Sequence, residues 1–189
     1  MSDRLANRLR VPRDLRGLAR MLRKDASGVA AVEFSFFTLF LSFALLNVAD
    51  IATYTYQRMQ VENAAEMGAQ AVFAACDLSE VPATTNCSGL STTITNAIGS
   101  TSLGSRVSLV SGYPTEGWYC INSSGALQLM SGVSSKPVDC SAAGMATLQP
   151  GDYITVQVTF AYVPLFNGNM TVASLLPATV TKTAMMRLQ

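Results

Sequence analysis

A chain of 189 residues has room for one modest domain plus an anchor or tail. Its residues are 49% hydrophobic but only 13% charged, about half the usual charged share, which argues against an entirely soluble or disordered protein. Histidine is absent, so the commonest general base and transition-metal ligand is missing, and most hydrolase triads and zinc sites are excluded.

The net charge of +1 conceals an uneven distribution. Residues 1–28 carry eight basic groups (Arg4, Arg8, Arg10, Arg13, Arg16, Arg20, Arg23, Lys24) against Asp3, Asp14 and Asp25; the remainder carries five against nine. Leu5, Leu9, Leu15, Leu18 and Leu22 give this leader an apolar side, as in a helix lying on a membrane surface. It lacks interleaved aromatics and adjoins an apolar run, so nucleic acid is not an expected partner.

Val29–Ala49 (VAAVEFSFFTLFLSFALLNVA) contains one charged residue, Glu33, in 21 positions. As a helix it would extend roughly 31 Å, the thickness of a bilayer core. Because the basic block precedes it and Asp50 follows, the positive-inside bias places the N-terminus in the cytoplasm and the bulk of the chain outside. A buried core helix and a removed signal peptide are the rival readings. The second is weakened because Asn47-Val48-Ala49 and Asp50-Ile51-Ala52 make poor cleavage sites.

Residues 50–75 continue the helical pattern. No proline lies between Pro12 and Pro82 and no glycine between Gly28 and Gly68. Ile51, Tyr54, Val61, Ala65, Gly68, Val72 and Ala75 form an apolar stripe, interrupted by Arg58. A helix from Val29 to Ala75 is expected to measure roughly 70 Å. Its small residues (Ala64, Ala65, Gly68, Ala69, Ala71) let either a sheet of the same chain or a neighbouring helix approach closely.

Residues 76–189 read as an extracytoplasmic α+β domain rich in Ser, Thr, Gly and Asn. Leu90–Ile98 suits a short helix; Arg106–Val110, Trp118–Ile121 and Leu127–Met130 suit short strands. Asp152–Val163 alternates Ile154, Val156, Val158, Phe160 and Tyr162 with Thr155, Gln157 and Thr159, and alternation returns over Ala178–Leu188. Such half-buried strands predict a small antiparallel sheet lying on a helix. The apolar connection Pro164–Pro177 is either a contact loop or a hairpin end that packs onto its own domain.

Cys76, Cys87, Cys120 and Cys140 contain no CxxC pair, and an even count outside the cytoplasm predicts two disulfides rather than a metal site. Three pairings are open; Cys76–Cys87 with Cys120–Cys140 closes the shortest loops and is expected. No GxSxG, SxxK, Walker or dinucleotide-binding pattern occurs, so neither an enzyme nor a cofactor is expected.

Glu33 is the residue that an apolar span tolerates least, because a carboxylate at depth is costly unless it is paired or reaches the headgroups. It stands five residues after Gly28, the last residue before the apolar run: Gly28-Val29-Ala30-Ala31-Val32-Glu33-Phe34. This resembles the processing motif of prepilins, in which a basic leader ends in glycine and glutamate occupies the fifth mature position. More specifically, residues 25–75, with Ala64-Ala65 and Gly68-Ala69, together with Val156–Leu165 and Ala184-Met185-Met186-Arg187, are similar to the TadE-like family of tight-adherence (Flp-type) pilus systems. The leader is long, Glu66 stands where that family often has arginine, and the cysteine-bearing middle has no counterpart; TadF-type pseudopilins fit the length almost as well.

The resemblance implies a pilin-like fold and a pseudopilin or minor pilin held in the bacterial inner membrane, with its C-terminal domain in the periplasm. A prepilin peptidase would cut between Gly28 and Val29, and Glu33 and Phe34 would serve recognition and assembly. The implied partners are that peptidase, other pilins and pseudopilins, the inner-membrane assembly platform and the lipid bilayer. The alternative is an uncleaved single-pass protein whose periplasmic domain binds a partner or ligand.

Overall fold

In a computed structural model, residues 26–77, 79, 81–133, 135–166 and 172–189 are described. The amphipathic leader up to Asp25 lies outside them, as does the middle of the 164–177 connection. The chain forms two compact units, Met1–Val48 and Ala49–Gln189.

Helix α1 (Ala26–Gln70) supplies all the described structure of the first unit and enters the second. It begins three residues before the expected Val29. Absence of proline and a run of Ala, Leu and Phe let it continue without a breaker. One residue, Ala71, separates it from α2 (Val72–Ala75); the Ala71 N–H still bonds the Met67 carbonyl (3.0 Å) and the Ala75 N–H bonds the Ala71 carbonyl (3.1 Å). The expected single helix to Ala75 is therefore two helices sharing a nearly continuous hydrogen-bond ladder.

In the second unit, α3 (Ala83–Asn86) and α4 (Leu90–Gly99) precede a five-stranded antiparallel sheet of β1 (Val107–Leu109), β2 (Thr115–Ile121), β3 (Leu127–Leu129), β4 (Gly151–Ala161) and β5 (Thr179–Arg187). The architecture is α+β. Strand β4 organises the sheet. β5 pairs along one edge, from Tyr153↔Arg187 to Ala161↔Thr179, while β2 and β1 share the other edge, at Trp118↔Asp152 and Val107↔Phe160. β3 pairs only with β2.

Alternation along β4 puts Ile154, Val156, Val158 and Phe160 in the core with Val61, Ala64, Ala65 and Ala69 of α1 and Leu90, Ile94 and Ile98 of α4. The small residues of α1 thus serve close packing within the chain itself. The stripe departs from expectation at its start: Ile51 is 46% exposed, and Asp50 is buried instead. Lys182 on β5 reaches Glu62 on α1 (2.7 Å), an exposed pair of little energetic consequence. Disulfides join Cys76 to Cys87 and Cys120 to Cys140, the pairing with the shortest loops.

Candidate functional site

Gly28 lies in the first turn of α1, among the backbone N–H groups that have no intrahelical acceptor, and Val29 follows it directly. Both are exposed, and no atom lies within 4 Å of a Cβ built on Gly28. A protease that takes an extended strand needs only this weakly tied turn unwound, and glycine, with its low helix propensity, reduces the resistance further.

Glu33 and Phe34 follow one turn later, also exposed. Other polar side chains of the span bond their own backbone: Ser35 Oγ donates to the Ala31 carbonyl (2.7 Å), Thr38 Oγ1 to Phe34 (2.8 Å) and Asn47 Nδ2 to Phe43 (2.8 Å). Glu33 has no hydrogen-bond partner among the described residues. Around it Phe34, Phe36, Phe37, Leu39 and Phe40 are all more than 60% exposed. An apolar surface of this extent is not left to water, and the helix is long and apolar enough to cross a membrane.

Where the apolar run ends, the structure contains a feature the sequence reading missed. Asp50 is fully buried, and its Oδ1 accepts hydrogen bonds from the Leu165 N–H (3.0 Å) and the Phe166 N–H (3.3 Å). The Tyr162 hydroxyl donates to the Asp50 carbonyl (3.4 Å), and its ring stands edge-on to Tyr54, 5.0 Å between centroids. Burial, then the nearby Asp50 charge, holds the Tyr162 hydroxyl above its usual range. The only sequence signal was an acid placed directly after an apolar run.

A second carboxylate arrangement lies at the other end of β4. Glu116 on β2 accepts from the Ala83 N–H, the Thr84 N–H and the Thr84 hydroxyl, each at 2.7 Å, closing the first turn of α3. Asp152, buried beside it, has its carboxyl pushed up to about 7, first by burial and then by the charge of Glu116. Its Oδ2 has no donor among the described residues while both acids are ionised; a proton on Asp152 supplies one.

The cysteines are paired as the two disulfides and serve as crosslinks within the second unit. No group of three or more Cys, Asp or Glu side chains among the described residues is placed to hold a metal ion. Comparison with family models, curated proteins and solved structures finds no match.

Proposed function

We propose that this chain is a pseudopilin or minor pilin of an Flp-type, tight-adherence pilus system, matured by a prepilin peptidase and needed for assembly or secretion of the pilus. The carrying observation is the exposed apolar stretch of α1 that follows Gly28 and has one carboxylate, Glu33, near its start. A basic leader on one side and an α+β domain packed on the same helix on the other support a pilin-like reading.

The chain's role is structural, and the peptidase supplies the chemistry. Cutting after Gly28 removes the cationic leader and creates an α-ammonium on Val29. That group lies four residues, or about 6 Å of helical rise, from Glu33. In an apolar bundle an isolated carboxylate is costly, so the ammonium of one subunit and the carboxylate of the next satisfy one another during assembly. The precursor is held in the inner membrane with its N-terminus in the cytoplasm and its C-terminal domain in the periplasm.

Terminal sequencing of the membrane-extracted protein tests this. A mature chain starting at Val29 is expected. An intact Met1 in cells expressing the peptidase identifies the uncleaved single-pass alternative instead.

A further inference from the structure

The hairpin joining β4 to β5 has unusual chemistry for a surface connection. From Tyr162 to Ala178 there is no charged residue. Val163 is 73%, Leu165 59% and Leu175 81% exposed. A loop meant only for water has no reason to present three large aliphatic side chains without a gatekeeping charge.

Its position accounts for them. Asp50 is the first residue after the apolar run Val29–Ala49, and its carboxylate holds the backbone N–H groups of Leu165 and Phe166 at 3.0 and 3.3 Å. The loop is therefore tied to the helix at the level where the hydrocarbon ends. Tyr54 and Tyr162 meet at the same level, and Tyr56 is 55% exposed there, the residue type that favours a membrane–water boundary. Asp50 spends its own charge on two backbone donors and stays buried, so it presents no exposed carboxylate to anionic headgroups.

We propose that Val163, Leu165 and Leu175 form a lipid-binding patch that enters the headgroup–acyl boundary of the outer leaflet. The occupant is lipid because the loop is held by Asp50, the residue that directly follows the apolar run, and because burying these side chains in lipid desolvates no charge. This rests on α1 crossing the membrane and is independent of processing at Gly28.

The test uses the full chain reconstituted in phosphatidylcholine–phosphatidylglycerol vesicles, with and without phosphatidylcholine brominated in the upper acyl chain. Native Trp118 provides the baseline: it pairs with Asp152, nine positions along β4 from Ala161 and thus roughly 30 Å away. Leu165→Trp and Leu175→Trp alter exposed side chains, and Phe40→Trp reports on the span. The emission added by Leu165→Trp and Leu175→Trp is expected to shift blue and be quenched about twofold or more, at a depth shallower than Phe40→Trp. Quenching of Phe40→Trp alone leaves the span standing and overturns the proposal. If Phe40→Trp is also unquenched, the membrane reading falls and the proposal with it. If the loop tryptophans ignore brominated lipid but shift blue on adding a further pilus subunit, the patch is a protein interface, and the lipid assignment is wrong.

Discussion

Gly68 of α1 faces Ile98 of α4 so closely that a Cβ on the glycine would lie 3.0 Å from Ile98 Cγ1 and 3.2 Å from Val156 Cγ1. Helix, helix and sheet meet there with no room for a side chain. Gly68→Leu is expected to destabilise the domain by about 1–3 kcal/mol, the usual consequence of overpacking a tight core. Gly99→Ala, with nothing within 4 Å, is expected to be neutral or slightly stabilising. Urea unfolding of the full chain in detergent, followed by Trp118 fluorescence, compares the two; equal midpoints would refute close packing at Gly68.

Asp152 makes stability depend on pH in the direction opposite to most acids. Its carboxyl lies at about 7 when folded against 3.8 when free, so between these values the folded chain holds a proton that the unfolded chain releases. Stability from this group is greatest in acid, falls as pH rises through the window, and levels off above about 7. Asp152→Asn removes the charge while keeping an amide donor for Glu116. It is expected to raise the melting midpoint at about pH 8 and leave it nearly unchanged at about pH 4. Parallel melting curves for the two proteins across that range would show that Asp152 does not titrate there.

How much of this was readable from residues alone follows the range of the interaction. The β4 strand was legible because alternation is local: Ile154, Val156, Val158 and Phe160 are all buried, as their spacing implies. The long helix was legible from the absence of breakers, although its exact start and the departure at Ala71 were not. Asp50 was read only as a flank because its partners lie 115 and 116 residues away. Glu116 and Asp152 were invisible for a related reason. The strand opening Thr115-Glu116-Gly117 has no apolar alternation, and only the β2–β4 register brings the two acids together. Gly28 and Glu33 are the reverse case: they have no tertiary neighbours among the described residues, and the proposal for them rests on spacing along the chain.

The two disulfides are expected to contribute unequally. Cys120–Cys140 closes a separation of 20 residues and Cys76–Cys87 one of 11. Loop entropy alone gives the first about 3 kcal/mol and the second roughly 0.5 kcal/mol less. Cys120 and Cys140 are also buried, so removing them loses packing as well. Replacing Cys120 and Cys140 together by alanine should therefore lower the unfolding midpoint more than the same change at Cys76 and Cys87. The reverse order in thermal melts would mean that native packing around β2 is already strained.

Processing and assembly should separate genetically at the start of α1. Gly28 is exposed in the first turn of α1, so this chain's fold does not require glycine there, and on the proposed function the requirement is the peptidase's. Gly28→Arg is expected to leave the folded precursor intact in the membrane and to reduce its cleavage at least about tenfold, since a long charged side chain cannot follow the backbone into a narrow site. Glu33→Ala removes no hydrogen bond among the described residues and should be cut at close to the normal rate, yet the new Val29 ammonium would enter an apolar bundle without its counter-charge. Immunoblots of leader removal read the first effect and counts of surface fibres the second. Normal cleavage of Gly28→Arg would refute the cut site, whereas normal piliation by Glu33→Ala would leave the cut in place and remove the charge-pairing step.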